Sequence, residues 1–584
     1  MTDAGMSSSP ISGGQPHRVA GGNGIDTGRT IRFTFDGRQY TGHPGDTLAS
    51  ALLAHGVRLA GRSFKYHRPR GILSAGPEEP NALVELRTGS RREPNTRATV
   101  AELYDGLSAA SQNRWPSLGF DALGLNSLFS SVLGAGFYYK TFMWPAAFWE
   151  KVYEPLIRRA AGLGRAADEA DPDQYEKATA FCDVLVVGSG PAGLAAALAA
   201  GRSGARVILC EEDSLTGGRL RAEHRQLDGA PAWRWVEQAR AALEALPEVR
   251  IMERTCVFGT YDGGTYGALE RVADHQPQPE KGQPRQRLWR IVAQQCVVAA
   301  GAVERPIVFP GNDTPGVMLA GAVRTYLNRF GVAPGRRAVV YTCNDDGLRT
   351  ALDLARAGVS VAAIVDSRPA GEGQGAQVAQ ACGVPFVPGG AVSAVQGRLA
   401  VSGVSVRDAL GREQRFACDL VAMSGGWSPN IALTTHQGMR PVYDETLCAF
   451  LPAALPPGMV VAGAAAGVFS TAGALRDGAQ AGVRAAQACG FEADQPALPV
   501  AEAESSAIAP LFHALAGVPS GRWAKAFVDF QNDVTAKDVA LAAREGFVSV
   551  EHLKRYTTLG MATDQGKTSN VNAIALLAEI TQRA

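Results

Sequence analysis

Apolar and polar positions near the start of the chain alternate with the period of a β-strand. From Ile31 the sequence IRFTFDGRQYTG keeps this alternation on both sides of Asp36-Gly37, which predicts a β-hairpin with a two-residue turn. Asp46-Thr47 then precedes the apolar run TLASALLAHG and predicts the start of a short helix. A further strand is predicted over residues 82–87. Hairpin, helix and strand in this order predict a small β-grasp domain over residues 29–100.

Two segments have a different pattern. Residues 1–28 are rich in Gly, Ser and Pro and have no apolar period, which predicts a disordered leader. Residues 101–178 have apolar positions at helical spacing and an aromatic-rich run from Phe137 to Pro145, which predicts a helical connector that packs on a neighbouring domain or subunit. A membrane-surface segment is the alternative, but the run is short and Pro145 interrupts it.

Strand and helix patterns alternate through the long central region, residues 179–495, which is typical of a parallel sheet with right-handed crossovers. A second dinucleotide-type unit is inserted at 335–450, and residues 505–584 predict a small α-domain. The expected fold class is therefore α/β: a two-dinucleotide-binding Rossmann-like core between a ferredoxin-like β-grasp domain and a helical domain. The strands are predicted at 183–187, 205–210, 295–300, 337–342, 359–365, 419–423 and 458–462, and helices begin at 191, 346 and 472.

Length and composition exclude several functional classes. At roughly 150 residues per domain, 584 residues are too many for one small binding module. The 57 Lys and Arg balance 56 Asp and Glu, so the net charge of +1 gives no field that would attract nucleic acid or an anionic membrane. The sequence has neither an apolar stretch of membrane-spanning length nor a signal-peptide pattern, and we expect a cytoplasmic protein without nucleic-acid or membrane partners.

The nine cysteines contain no Cys-x-x-Cys pair. Their spacing argues against a zinc ribbon, a disulfide framework and a redox-active dithiol. They all lie between Cys182 and Cys489, so the predicted β-grasp domain and the predicted C-terminal domain contain none. The nine histidines form no metal motif, and we expect no metal site and assign no catalytic residue.

A phosphate-binding loop follows the strand at 183–187. In GSGPAG, Gly188 permits the tight turn, Gly190 lets the backbone approach a pyrophosphate, and Gly193 permits close packing of helix on strand. Pro191 and Ala192 begin the helix, whose N-terminus faces the anion. The next strand ends at Glu211, the position of an acceptor for ribose hydroxyls, which makes the composite signal strong.

Acidic residues at the end of this strand select among nucleotides. Glu211 and Glu212 would repel a ribose 2′-phosphate, so the site is expected to hold NAD or FAD and not NADP. Asp213 completes this acidic stretch. Order along the chain predicts additional contacts from Gly218 and Arg219 to the pyrophosphate, from Val257 to adenine, and from a closing group that comprises Gly301, Gly463, Ala464 and Thr471.

The second phosphate loop has lost its glycines. After the strand at 337–342 the corresponding positions read Thr342-Cys343-Asn344-Asp345-Asp346-Gly347, and only the last glycine remains. Asp345 and Asp346 suit a helix start but would repel a pyrophosphate. We therefore expect weak NADH or NADPH binding there and no hydride transfer from that site to a flavin.

These features together resemble the alpha subunit of heterotetrameric sarcosine oxidase. The β-grasp start, the FYYKTFMWP run, GSGPAG, the degraded second loop and the ending EHLKRYTTLGMATDQGKTSN carry the resemblance over nearly the whole chain. More distant relatives, hydrogen cyanide synthase and opine oxidase subunits, carry iron–sulfur clusters. Here the ferredoxin positions in residues 61–77 hold no thiolate, and the C-terminal positions hold Asp529, Gln531, Asp564 and Ser569. We therefore expect no iron–sulfur cluster.

The resemblance implies a role. It implies an alpha subunit that holds NAD without redox turnover, while a beta subunit carries FAD and covalent FMN, and gamma and delta subunits complete the assembly. The oxidation would convert sarcosine, oxygen and water to glycine, formaldehyde and hydrogen peroxide, and this chain alone would be inactive. The folate-binding domain of the family would follow Ala584, so the chain is either a fragment or has a separately encoded folate domain. An FAD-dependent NADH dehydrogenase and a subunit of another amine or opine dehydrogenase complex remain the alternatives.

Overall fold

The computed structural model of the chain describes residues 14–129, 133–140, 144–160 and 164–583. Residues 14–28, the described part of the predicted disordered leader, are ordered against the folded domains. The backbone N–H of Val19 donates to Gly331 O at 2.8 Å, and Arg18 forms an ion pair with buried Asp46 at 2.7 Å. The expectation of disorder is therefore wrong for these residues, because their polar groups have partners in two domains. The remainder of the predicted leader lies outside the described residues.

The first domain has a five-stranded sheet in the order β2-β1-β7-β5-β6, with β1 and β7 parallel. The predicted hairpin turn is confirmed at Asp36 and Gly37, which both have positive φ angles, 49° and 77°. The predicted helix is confirmed as well, because the Thr47 side chain accepts a hydrogen bond from Ser50 N–H and begins the helix. The elements are β1 (Ile31–Phe35), β2 (Arg38–Gly42), α1 (Leu48–Ala54), β3 (Leu59–Arg62), β4 (Pro69–Gly71), β5 (Leu83–Leu86), β6 (Glu93–Arg97) and β7 (Leu107–Ser111).

In the described part of the connector, two segments are α-helical, α2 (Phe137–Lys140) and α3 (Glu154–Ala160), beside 3₁₀ and π turns. It packs on the C-terminal region through Ala135, whose N–H donates to Asp538 Oδ1 at 2.7 Å, and through an ion pair of 2.5 Å between Lys140 and Glu545. Trp144 at the end of the predicted aromatic run is 84% exposed, whereas residues 141–143 lie outside the described part of the chain.

The first dinucleotide unit is built on strands in the order β12-β9-β8-β15, all parallel, and β14 and β13 extend this sheet in antiparallel fashion. The predicted strand at 183–187 is the buried end of a longer strand. The elements are β8 (Tyr175–Val187), α4 (Pro191–Arg202), β9 (Val207–Cys210), α5 (Arg219–Ala222), β10 (Gln226–Leu227), β11 (Ala230–Pro231), α6 (Ala232–Glu244), β12 (Val249–Met252), β13 (Thr255–Tyr261), β14 (Thr265–Glu270) and β15 (Gln286–Val298).

The second unit has its own five-stranded parallel sheet in the order β17-β24-β18-β19-β20. Its strands are mostly buried and rich in Val and Ala, because both faces of the sheet are covered. The elements are β16 (Ala302–Glu304), β17 (Val317–Leu319), α7 (Ala320–Asn328), β18 (Arg337–Thr342), α8 (Asp345–Arg356), β19 (Ser360–Asp366), α9 (Gly375–Cys382), β20 (Phe386–Pro388), β21 (Ala391–Gln396), β22 (Gly403–Arg407), β23 (Glu413–Phe416), β24 (Leu420–Ser424), β25 (Trp427–Pro429), α10 (Ala432–Thr435), β26 (Pro441–Asp444) and β27 (Ala449–Pro452).

The chain then returns to the first unit. Strand β28 (Met459–Val461) pairs with β15, and helix α11 (Thr471–Ala488) packs on α4. Two glycines permit this close helix pair: a Cβ at Gly478 would lie 2.1 Å from Ala192 O, and one at Gly482 would lie 2.2 Å from Ala196 O. The first unit is thus completed by residues from both sides of the inserted second unit.

The C-terminal region contains β29 (Phe527–Asp529), β30 (Val534–Thr535), α12 (Ala536–Arg544), α13 (Val550–Thr557) and α14 (Asn570–Thr581). Apolar residues of all three helices, such as Val539, Leu553 and Leu576, form its core. Of the helices in the described ranges, none combines the length and apolar character that a bilayer crossing requires.

A buried charge cluster joins this region to the first domain. The Asp533 carboxylate accepts hydrogen bonds from Arg68 Nε at 2.6 Å and from the backbone N–H groups of Lys65 and Tyr66 at 3.1 and 3.3 Å. Arg70 donates to Gln531 O at 2.6 Å. Residues 65–70, between β3 and β4, therefore attach the first domain to the C-terminal region through charged hydrogen bonds.

Candidate functional site

The loop between β8 and α4 has the backbone geometry that its glycines predict. Gly188 has a φ of 94°, and its N–H donates to Cys210 O at 2.8 Å. A Cβ at Gly188 would lie 2.5 Å from Ala299 O, and one at Gly193 would lie 1.8 Å from Gly188 O. A side chain at Gly188 would collide with the backbone that follows β15, and one at Gly193 would separate the helix from the end of β8, so both glycines are required by the packing.

Gly190 serves a different purpose. A Cβ at this position would lie more than 4 Å from every atom of the described chain outside the neighbouring backbone, so the space beside it is open. Gly190 is the N-cap of α4 and supplies no side-chain cap, and Pro191 occupies the first helical position. The backbone N–H groups of Ala192 and Gly193 belong to the first turn, where a helix has no internal acceptors. This helix N-terminus is therefore suited to an anion that approaches along Gly190.

Glu211 lies at the end of β9 and is fixed by three hydrogen bonds. Its Oε2 accepts from the Ser189 N–H at 2.8 Å and from the Ser189 hydroxyl at 2.5 Å, while Oε1 accepts from the Asp213 N–H at 2.9 Å. Burial, with nearby Asp213, raises the pKa of Glu211, and the bonds from Ser189 oppose this shift. A carboxylate has about four acceptor positions, so Oε1 retains capacity for one more donor such as a ribose hydroxyl.

Asp213 is paired with Arg329, from the end of α7, through both carboxylate oxygens. Burial opposes ionisation, but Arg329 outweighs it and lowers the pKa of Asp213 to about 2. The acidic stretch predicted from the sequence is thus partly neutralised. The Glu212 backbone also has a cationic partner, since its carbonyl accepts from Arg271 Nη2 at 2.7 Å.

The predicted pyrophosphate contacts at residues 218–219 differ from one another. Gly218 lies against the loop, because a Cβ there would be 3.3 Å from Gly190 Cα. Arg219 donates to Glu223 and to Asp346, each at 2.5 Å, and its guanidinium stacks on Trp427 at 4.9 Å from the ring centroid. The guanidinium is therefore engaged by two carboxylates and is not free for a phosphate, whereas the backbone at Gly218 remains available.

Two cavities meet at Glu211 and Asp213. Their linings do not include residues 188–193 of the loop, and Gly218, which lies against Gly190, connects the larger cavity to the loop. The larger, of about 220 Å³, is lined by the predicted residues Glu211, Asp213, Gly218 and Arg219. The smaller, of about 140 Å³, is lined by Glu211, Glu212 and Asp213. Since Glu211, Asp213 and Arg329 line both, the cavities are neighbouring parts of one cleft.

The other predicted contacts do not line these two cavities. Val257 is a buried residue of β13, and Gly301 accepts at its carbonyl from the Asn430 N–H at 2.9 Å. The Gly463 N–H donates to Asp477 at 2.8 Å, and a Cβ there would lie 2.7 Å from that of Ala192. Ala464 follows Gly463 in a short 3₁₀ turn. The structure thus keeps Gly463 next to the loop and places Val257 in the core.

Thr471 begins α11, but this helix N-terminus is already occupied. The Ser470 side chain accepts from the Gly473 N–H, and the Glu504 carboxylate accepts from the Thr471 N–H at 2.9 Å. Glu504 is also ion-paired with Arg225. The chain's own carboxylate therefore takes the position that an anionic ligand group would take at α11.

The N-terminus of α8, the degraded second loop, is filled in the same way. Asn344 caps the helix by accepting from the Gly347 N–H at 2.7 Å. Asp346 pairs with Arg219 and with Arg324, the latter at 2.6 Å. The backbone N–H of Asp345 donates to Ala507 O at 3.0 Å, so residues near 507 lie over the loop. Of these three helix starts, that of α4 lacks a side-chain cap.

Sequence reasoning missed the residues that other domains contribute to the cleft. Gly76 and Glu78 come from the first domain, Arg329 from the end of α7 and Trp427 from β25. Arg271 follows β14 and lines the smaller cavity. No spacing in the sequence relates these positions to GSGPAG, so only the packing of the domains could reveal them.

Family comparisons match three parts of the chain. Residues 183–268, which contain the GSGPAG loop and Glu211, match the FAD dependent oxidoreductase family. Residues 28–114 match the 2Fe-2S iron-sulfur cluster binding domain, and residues 523–584 match the Sarcosine oxidase A3 domain. These matches and the observed sheets confirm the predicted fold class.

Relatives match nearly the whole chain. Sarcosine oxidase subunit alpha of Rhizobium meliloti (strain 1021) is 53% identical over 555 residues, which cover 95% of this chain and 55% of that protein. Over nearly its whole length the chain is similar to the alpha subunit of sarcosine oxidase. A second such subunit, from Corynebacterium sp. (strain P-1), is 39% identical over 571 residues, 95% of this chain and 54% of that protein. The chain thus spans about half the length of these two curated relatives.

A solved structure has a fold similar to that of this chain. L-proline dehydrogenase from P. horikoshii superposes with a TM-score of 0.68 over 98% of this chain and 95% of that one, at 18% identity. At this identity the likeness shows the fold alone.

The expectation about iron–sulfur clusters requires correction. Residues 28–114 match the 2Fe-2S iron-sulfur cluster binding domain. This match contradicts the prediction that the chain has no iron–sulfur cluster. The residues present do not fit such a cluster, which is held by four thiolates, because residues 28–114 contain no cysteine. Four basic residues stand in and between β3 and β4 instead: Arg62, Lys65, Arg68 and Arg70.

Two buried carboxylates, Asp529 and Asp564, lie in the C-terminal region. Asp529 accepts from the N–H groups of Gln531, Asn532 and Gly560 at 2.8, 2.8 and 2.7 Å. Burial, followed by the charge of Asp564, raises the pKa of Asp529 to about 6. Asp564 Oδ1 is buried and accepts no hydrogen bond from the residues that the structure describes, and burial raises the pKa of Asp564 as well.

Replacing Asp564 by asparagine should stabilise the chain at neutral pH. The folded state binds a proton on Asp529 more tightly than the unfolded state does, so the free energy of unfolding falls as the pH rises from about 4 to about 6. Asp564→Asn removes the neighbouring charge, and we expect a gain of about 1 kcal/mol at pH 7.5 and a shallower slope over that range. Urea unfolding at several pH values measures both. If Asp564→Asn leaves the slope of the free energy of unfolding against pH unchanged, the charge of Asp564 does not raise the pKa of Asp529.

Proposed function

We propose that this chain is the nucleotide-holding part of the alpha subunit of a flavin-dependent sarcosine oxidase. In this proposal it binds NAD in the first dinucleotide site without redox turnover, and the oxidation of sarcosine to glycine, formaldehyde and hydrogen peroxide takes place on flavins of a partner subunit. Beta, gamma and delta subunits are the proposed partners. The cytoplasmic location stays a prediction.

One observation carries the nucleotide part of the proposal. The N-terminus of α4 is uncapped and faces open space at Gly190, whereas Asn344 and Ser470 cap α8 and α11. A dinucleotide pyrophosphate can use the first position, with Glu211 as acceptor for the adjacent ribose. The site would supply binding and orientation, since we assign no catalytic residue to it.

The same observation disfavours a free-standing NADH dehydrogenase. Such an enzyme needs a second nucleotide site from which hydride reaches a flavin. At the second loop, Asp345 and Asp346 are already ion-paired with Arg368 and Arg324. A pyrophosphate there would have to displace these contacts and would meet two carboxylates.

Glu211→Ala tests the ribose contact. Loss of a charged hydrogen bond should weaken NAD⁺ binding by about 1.5 to 3 kcal/mol, as measured by isothermal titration calorimetry on ligand-free protein. NADP⁺ should bind the wild-type chain more weakly than NAD⁺ because its 2′-phosphate approaches the Glu211 carboxylate. Equal NAD⁺ affinity for the wild type and Glu211→Ala would contradict this role of Glu211.

A further inference from the structure

The smaller cavity of the cleft lies between two domains. Its lining on one side comes from the first domain, and on the other side from the residues after β9. Arg329 of the second unit completes it. The first-domain residues are Thr47, Ala75, Gly76, Pro77, Thr99, Val100 and Glu102, and the residues of the first dinucleotide unit are Glu211, Glu212, Asp213, Ser214 and Arg271.

Two cation contacts fix the width of this cavity. Arg254 donates to both oxygens of Glu102, each at 2.7 Å, and so ties the first dinucleotide unit to the first domain. Arg271 donates to Glu212 O on one side at 2.7 Å and to Val100 O on the other at 3.3 Å. A bidentate pair and a bridging guanidinium hold the two walls at a set separation.

The first-domain wall is itself rigid. Buried Glu79 accepts hydrogen bonds from four backbone N–H groups at 2.7 to 2.9 Å, which fixes the loop that contains Pro77. The Thr99 hydroxyl donates to Gly76 O at 2.7 Å and joins the two wall segments. A wall that is ordered before a ligand arrives lowers the entropic cost of binding.

The order of groups along the cleft matches the order of groups in an adenine dinucleotide. The larger cavity has Gly218, which lies against Gly190 and the uncapped start of α4, the position for the pyrophosphate. Glu211 lies where the two cavities meet, the position for the ribose. The smaller cavity then follows on the other side of the ribose. Its apolar walls at Pro77 and Val100 suit a flat purine ring.

We propose that the adenine ring of the bound dinucleotide lies in this interdomain cavity, between Pro77 and Val100 of the first domain and the residues that follow β9. The first domain then supplies half of the adenosine site. This inference rests on the proposed nucleotide function. It assigns a binding role to a domain whose iron–sulfur ligands are not among its residues.

The test fills the cavity from the first-domain side. Val100→Trp should weaken the binding of ADP, which both NAD and FAD contain, at least tenfold in calorimetric titrations of ligand-free protein. NAD⁺ binding should weaken to the same extent, since the block acts on the shared adenosine half. The matched control is Arg38→Trp, which adds the same side chain at an exposed position of the same domain and should leave ADP binding unchanged.

Melting temperatures and far-ultraviolet circular dichroism show whether each variant is folded. If Val100→Trp is unstable, the smaller Val100→Phe repeats the titration. A folded Val100 variant that binds ADP as tightly as wild type would overturn the adenine assignment and leave the proposed function intact. A wild-type chain that binds neither ADP nor NAD⁺ would overturn the proposed function itself.

Discussion

Gly190→Leu should leave the purified chain without bound nucleotide. The space beside Gly190 is open, and it borders the uncapped N-terminus of α4. A leucine side chain would occupy that space and hold the pyrophosphate away from the backbone N–H groups of Ala192 and Gly193. We expect NAD⁺ affinity to fall about 100-fold or more, which corresponds to about 2.7 kcal/mol. Calorimetry with ligand-free protein measures the loss.

Gly119→Leu is the matched control for this variant. No residue that the structure describes, other than its own chain neighbours, comes within 4 Å of a Cβ at Gly119, and its backbone does not have a positive φ. The two variants make the same chemical change, but only one of them is next to the cleft. Retention of a full equivalent of nucleotide by Gly190→Leu would show that the ligand is not held at this loop.

Asp533→Asn should weaken the attachment of the C-terminal region to the first domain. Burial opposes ionisation of Asp533, but Arg68 outweighs it and holds the pKa of the carboxyl below its usual range. Asparagine suits the φ of 53° at this position, so the substitution removes the charge without new backbone strain. It removes the carboxylate that accepts from Arg68 Nε at 2.6 Å and leaves Asp313, 3.7 Å from Arg68 Nη1, as the remaining carboxylate partner. Breaking a buried pair costs about 3 to 5 kcal/mol, and with Asp313 still in place we expect a loss near the lower value.

Chemical denaturation followed by tryptophan fluorescence measures this loss of stability. The control is Asp168→Asn, which removes an ion pair with Arg165 whose partners are 69% and 73% exposed, and it should leave the unfolding curve unchanged. An Asp533→Asn chain as stable as the wild type would mean that the ion pair between Arg68 and Asp533 contributes nothing to the attachment.

Local features of the fold could be predicted from the sequence because neighbouring residues determine them. The Asp36-Gly37 turn and the Thr47 cap depend on contacts within a few residues. The GSGPAG loop could be predicted for the same reason, because its glycines are required by the close packing of a strand against the helix that follows it. These are the places where the expected and observed elements agree.

Features that depend on contacts between domains could not be predicted. Arg329 reaches Asp213 across 116 positions of sequence, and Glu504 reaches the start of α11 from a segment without a recognisable pattern. The ordered residues 14–28 are a similar case, because their composition indicates flexibility and their order comes from partners such as Gly331. Arg219 fits the expected phosphate contact by position, but Glu223 and Asp346 bind it instead.

We propose that, of the two dinucleotide loops in the described residues, the GSGPAG loop holds NAD and the loop at residues 342–347 holds no nucleotide. Mass spectrometry of the ligand released by heat denaturation of the purified chain tests that claim most directly. We predict close to one equivalent of NAD per chain, retained in Gly119→Leu and lost in Gly190→Leu. Release of no nucleotide at all, or of FAD in place of NAD, would contradict it.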